Sequence, residues 1–376
     1  MSADFGGTND PDAPAIRLRT GTVTAVIERR AGLLRLRVEV DGDGSDAIAY
    51  PGLVGHVEPG DRVILNTTAV ELGLGTGGAH LVVATEPTRE ADVAHDGRAM
   101  KARYLPHQAA VRTIEETNAA KLEAAPGLRG APVVAAPLHS MIGPIAAGAK
   151  ASGQARVVYV MTDGAALHGR LSDLISRLIE RGLLDAFVTA GQAMGGDLEA
   201  VTLWSGLLAA VVVLGAEVVV VADGPGNLGT ATTWGVSALA NGHALDAAET
   251  LGGRPVAALR ISFVDPRERH RVVSHHSLTI LGQVCHVAAS VAVPALDDEG
   301  QRDAVWGTLR ERRLEEKHQL VEVDGRPALE ELARLRVAVT SMGRSPADDP
   351  AFFLAAGAAG VLAGRMAANA RRYRPA

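Results

Sequence analysis

The stretch Glu217–Gly235, EVVVVADGPGNLGTATTWG, decides the fold. Val218 to Val221 leaves no polar position, the pattern of a central parallel strand covered on both faces. Asp223 closes the run. Gly224, Pro225, Gly226, Asn227, Leu228, Gly229 and Thr230 follow, a loop in which backbone can approach a ligand and Asn227 or Thr230 can cap the next helix. Helix N-termini favour anions, so this loop is a candidate anion cradle. Gly224, Gly226 and Gly229 also spell G-x-G-x-x-G. Pro225 fills the first variable position, however, and the next strand's acid, Asp265, lies well beyond the roughly 20 residues a dinucleotide fingerprint expects. Nucleotide or dinucleotide binding through GPGNLG therefore ranks behind another ligand and behind a plain tight turn.

Working outward, the same rhythm of apolar run, polar loop and apolar helix recurs from Ala131 onward. Strands are expected at Pro132 to Ala136, Arg156 to Met161, Ala186 to Ala190, Glu217 to Ala222, Val256 to Phe263 and Arg336 to Thr340. Alternation of strands and helices implies a mostly parallel sheet with right-handed crossovers. Helices are expected over Leu198 to Leu214, apolar almost all round, over the charged Glu299 to Glu316, and from Pro350 to about Arg372. Upstream, the period is different. Between Ile16 and Ala84, Leu34, Leu36 and Val38 alternate with Arg35, Arg37 and Glu39, and Asp41-Gly42 and Pro59-Gly60-Asp61 mark turns, so five or six short strands should form a small β-barrel. The expected organisation is α+β: a disordered tail (1–14), a barrel (15–86), a helical connector (87–130) with a helix from Pro106 to about Asn118, and an α/β domain (131–376) carrying the ligand site.

Composition narrows the function. A chain of 376 residues with 47% hydrophobic and 21% charged residues is an ordinary globular sequence. The net charge of -6 argues against nucleic acid as a partner. The single cysteine, Cys285, excludes an internal disulfide and sits in an apolar run where packing is its expected role, in keeping with a cytoplasmic setting. The polar N-terminus reads as neither signal peptide nor anchor, and the apolar stretch Leu203 to Ala222 contains Glu217 and splits into a helix and a strand, so no membrane association is expected. Only four of the 37 basic residues are lysine, and no P-loop signature is present.

The unusual residues fall after the expected strands. In a parallel sheet those loops share one edge, and ligands bind in the crevice outside it. His139 and Ser140 follow the first strand, Asp163 the second, Asp197 the third and the glycine loop the fourth. Asp265, Arg267, Arg269, His270, His275 and His276 follow the fifth, and Ser341 and Arg344 the last. Ser274-His275-His276-Ser277 is the densest group of ionisable side chains. His275 or His276, oriented by Asp265 or Asp163, would be a general base, although adjacent histidines are expected to point apart. Gly224, Gly226, Asn227, Gly229, Thr230, Asp197, Arg267 and Arg269 would bind the ligand. A histidine with Asp163 and Asp197 could ligate a metal, but no metal-site spacing is present, so neither a metal nor another cofactor is assigned.

The segments MTDGAALHGRLSDL, LLDAFVTAGQAMGGDLEAV, DGPGNLGTATTWG, RISFVDPRERHRVVSHHSLT and SMGRSPADDPAFFLAAGAAG, with LNTTAVELGLGTGGAHLV upstream, resemble the bacterial family known as domain of unknown function 3866. The resemblance covers nearly the whole chain after the tail and implies bacterial origin without an activity. His168 and Arg170 stand where small or apolar residues are expected. The residues themselves favour an enzyme acting on a small anionic or phosphorylated ligand, with a ligand-sensing or scaffolding protein as the alternative. Asn66, Thr67, Thr68 and LGLGTGG should form a loop that helps close the site and allows a homodimer.

Overall fold

The structure, a computed structural model, describes residues 14–74, 77–90 and 92–372. The expected tail, apart from Pro14, lies outside the described residues, as do Gly75 and Thr76 of the barrel loop. The chain divides into two compact units, Met1–Ala94 and His95–Ala376.

The first unit is a closed five-stranded barrel of β1 (Leu18–Arg30), β2 (Leu33–Val40), β3 (Asp43–Ala49), β4 (Arg62–Asn66) and β5 (Ala79–Glu86), ordered β1-β2-β3-β5-β4. Leu34, Leu36 and Val38 point inward while Arg37 and Glu39 are exposed. Asp41 and Gly42 take φ of 53° and 90°, the left-handed pair that a two-residue hairpin requires. Pairing of β4 back onto β1 closes the ring. The polar trio after β4 serves a local purpose: Asn66 Oδ1 accepts from the Thr68 backbone at 3.1 Å, and the Thr67 hydroxyl bonds Glu71 across a helical turn at Thr68–Glu71.

The second unit opens with a hairpin of β6 (Ala99–Lys101) and β7 (Ala109–Val111), where the sequence suggests a helix from Pro106. Two interactions override that tendency. The buried Lys101 ammonium fixes β6 by donating to Thr189 O, Ala193 O and Glu199 Oε2 at 3.1, 2.6 and 2.7 Å. A capping box of Thr113 and Glu116 then starts the helix only at Ile114.

The core of this unit is an eight-stranded sheet: β8 (Pro132–Ala135), β9 (Val157–Thr162), β10 (Ala186–Ala190), β11 (Leu198–Ala200), β12 (Val218–Asp223), β13 (Arg254–Ala258), β16 (Ser290–Pro294) and β17 (Gln319–Val323), in the order β11-β10-β9-β12-β8-β13-β16-β17. Every neighbouring pair is parallel. A separate short pair, β14 (Ile261–Ser262) with β15 (Val272–Val273), follows β13. Along β12, Val218 and Val220 enter the core on one face while Val219 and Val221 enter the core on the other. Both faces are covered, so the strand reads as a continuous apolar run.

Three boundaries move. Leu198–Ala200 is an edge strand, and the apolar helix begins at Leu203 after the Thr202–Ser205 capping box. Val256 to Phe263 breaks at Leu259 and Arg260 into two strands of different sheets. Arg336 to Thr340 is not a strand, because Val337 and Val339 are buried in one helical layer instead; the outer strands are β16 and β17. The closing helix runs from Pro350 to Arg372 as expected. By length and composition it could cross a bilayer, yet 78% of its most apolar window is buried. It lies backbone to backbone on the helix Ile142–Gly153: a Cβ at Gly148 would sit 2.6 Å from Gly357 O, and one at Gly364 2.7 Å from Ala149 O.

Candidate functional site

β8 lies between β12 and β13 at the middle of the sheet. From β8 the chain turns toward β9 on one side, and from β13 it proceeds to β16 on the other. Loops leaving adjacent parallel strands in opposite directions open a crevice at their C-terminal ends. A cleft of about 420 Å³ occupies that position. His139 and Ser140 line it after β8, Gly226, Asn227 and Gly229 after β12, and Arg260, Arg267, His270 and His276 after β13; Arg177, Ser341 and Met342 complete the polar and soft lining.

Asp223, at the end of β12, is buried and does not line the cleft. Its carboxylate accepts from Thr162 Oγ1 at 2.6 Å, Gly164 N at 3.2 Å and Asn227 Nδ2 at 2.8 Å, which ties the loop after β9 to the glycine loop. Burial raises its pKa against those hydrogen bonds. The glycine loop does not enter a helix at once: Gly229 bridges Val236, and the next long helix starts at Ala240. Asn227 therefore caps no helix but bonds Asp223 and Ser237, and Thr230 Oγ1 bonds Thr232. Gly229 is required for another reason. A Cβ there would lie 2.9 Å from the His276 ring.

Asp265 is fully buried and bound by arginines rather than by a histidine. Arg260 donates to it at 3.0 Å and Arg267 at 2.9 Å, with Arg344 at 3.5 Å. Burial opposes its ionisation, but the Arg267 hydrogen bonds and the arginine charges prevail and hold the carboxyl well below its usual range. Arg260 is itself buried, and desolvation lowers its pKa to about 10.

His270, His275 and His276 form one cluster, with ring centroids 4.1 Å apart for the adjacent pair, 4.9 Å for His270 and His276, and 5.4 Å for His270 and His275. The adjacent histidines do not diverge. They occupy the first two positions of the short helix His275–Thr279, whose cap, Ser274, also meets His270 Nδ1 at 2.9 Å. Burial, reinforced by Arg260 and Arg267, lowers the His270 pKa to about 3. Burial with the charges of His275 and Arg260 lowers that of His276 to about 4, and burial with Arg269 and Arg260 lowers that of His275. Burial thus favours the neutral form of all three rings.

The structure thus brings Gly226, Asn227, Gly229, Arg267 and His276 together in the cleft, with His275 behind His276. Asp163 lies apart, accepting from the Gln192 backbone at 2.7 Å, and Asp197 is engaged by Arg170 and the Phe187 backbone. Gly224, Thr230 and Arg269 do not line the cleft. Cys285 is buried, its thiol pushed up to about 11 by burial, as a packing residue would be. Sequence reading set His139 and Ser140 at this edge but missed Arg177 and Arg260 as lining residues. Arg260 carried a signal, a charge inside an apolar run; Arg177, on the helix Asp173–Glu180, carried none.

Fold and site define a protein with a β-barrel unit and a parallel α/β unit that holds a cationic crevice at the sheet's C-terminal edge. The chain belongs to the family described as protein of unknown function (DUF3866), whose model matches residues 46–360. No curated protein and no solved structure matches it.

Proposed function

We propose that the cleft binds a small anionic ligand, phosphorylated or carboxylated, and that the protein is an enzyme acting on it. One observation carries this reading: three arginines, Arg177, Arg260 and Arg267, line the cleft with His270 and His276, and no carboxylate does. Arg260 and Arg267 share Asp265, while Arg177 has no acidic partner among the described residues. His139, His270 and His276 are the imidazoles that line the same cleft, and the proton acceptor would come from among them. A specific anion stabilises the folded state by mass action. In thermal unfolding with a panel of phosphorylated and carboxylated metabolites, at least one compound should raise the Tm of the parent, and Arg177→Gln should weaken its binding about tenfold, the size of one exposed charge-assisted contact. Mass spectrometry of the incubated ligand then reads turnover. If no compound on the panel shifts the Tm, the anion site is wrong; a shift without conversion supports a sensor instead.

A further inference from the structure

Among the described residues, one group of three potential metal-ligating side chains is gathered closely enough to share an ion: His270, His275 and His276 each present a ring nitrogen within 4.8 Å of the others. Zinc–imidazole bonds of about 2.0–2.1 Å place tetrahedral ligand atoms about 3.4 Å apart, so the rings need draw together by little more than 1 Å, roughly one side-chain rotation. Two features of the cluster lack another explanation. Nε2 of His275 and Nε2 of His276 are both buried with no hydrogen-bond partner, an arrangement that costs free energy unless something fills it. His270, by contrast, is held: its Nδ1 meets Ser274 Oγ at 2.9 Å. Protein scaffolds prepare histidine ligands by fixing a ring through its second nitrogen, as Ser274 fixes His270, and by leaving the ligating nitrogen free for the ion, as at His275 and His276.

We infer that His270, His275 and His276 form a binding site for one divalent transition-metal ion of the zinc class, with its open coordination position facing the cleft. Imidazole suits zinc, copper, iron and nickel, and three neutral ligands leave the full double charge on the ion. Arg269 and Arg260 near the rings oppose that charge. They also favour an anion as the fourth ligand, which would sit in the cleft that His270 and His276 line. The inference rests on the anionic-ligand reading only for that fourth position.

The test uses the untagged full-length chain, stripped with chelator and titrated with Co²⁺. The expected result is uptake of one equivalent, with the intense visible absorption of a four-coordinate nitrogen-rich site and its displacement by Zn²⁺. His275→Asn, at the half-buried member of the cluster, should lose that absorption and weaken binding at least a hundredfold while retaining the parent's circular dichroism and urea midpoint without metal. Should His275→Asn fail to fold, His276→Gln serves in its place. Absence of the four-coordinate spectrum in the folded parent, or its persistence in a folded variant, overturns the site. A phosphate-induced Tm shift in the metal-free parent reports on the anion reading separately, so either proposal can fail alone.

Discussion

Replacing Asp265 with asparagine tests the electrostatic centre of the site. The carboxylate is wholly buried, 3.0 Å from Arg260 and 2.9 Å from Arg267, with Arg344 at 3.5 Å. Removing one partner of a buried ion pair costs about 3–5 kcal/mol. Arg267 is 39% exposed and Arg344 21%, so water and counterions relieve part of the freed repulsion, and the expected loss is about 3 kcal/mol. Urea denaturation at neutral pH should show it as a lower midpoint at unchanged slope. Because the folded-state pKa of Asp265 is depressed, its contribution is present above the unfolded value of about 3.9 and fades as pH falls below it, so parent and variant should converge in acid. Inorganic phosphate should restore stability to Asp265→Asn more than to the parent, by taking the place of the missing charge among the arginines. A variant within about 0.5 kcal/mol of the parent, or one indifferent to phosphate, would refute the view that this carboxylate neutralises a cationic cluster.

Three further outcomes follow from the geometry. Gly148→Ala should destabilise by about 1–2 kcal/mol in urea, because overpacking of a Cβ 2.6 Å from Gly357 O outweighs the roughly 1 kcal/mol gained in helix propensity; Gly307→Ala, on an exposed helix face with nothing within 4 Å, should stabilise by about 0.5–1 kcal/mol. His139, whose pKa burial lowers to about 4 against its hydrogen bond to Asp223 O, resists the proton that the unfolded chain accepts; parent stability should therefore fall by up to about 3 kcal/mol as pH drops from 6.5 toward 4, and His139→Gln should flatten that slope.

The centre of the fold was legible because its strands are buried on both faces: β9 and β12 read as unbroken apolar runs, and Ala186–Ala190 appears with its expected ends. The edges were not. β17 mixes Gln319 and Glu322 among its apolar residues and β16 is a short piece of a longer apolar stretch, whereas Val337 and Val339 imitate a strand while packing into the core beside the helices. The hairpin β6–β7 depends on Lys101 reaching acceptors some ninety residues away, which no local pattern encodes. At the site, the position of the loops after the strands followed from parallel topology, but the partners within it did not. That His275 and His276 lie together, and that His270 joins them, depends on where the short helix is set against the segment before β15.

Sequence reading brings Asp265 to the chemistry as the orienter of a histidine and sets Asp223 at the end of the glycine-loop strand. Both turn inward. Asp223 organises the loop by accepting from Thr162, Gly164 and Asn227, and Asp265 holds Arg260 and Arg267 in place at the cleft wall. Had either carboxylate faced the cleft, it would have cancelled an arginine charge there and repelled an anion at short range. Because neither carboxylate lines the cleft, Asp265 offsets part of the arginine charge from behind while Arg260 and Arg267 remain on the cleft wall. The acids therefore belong to the site as supports for its arginines and its loop, and their substitution should alter affinity through the arginines and the loop, without any part in proton transfer.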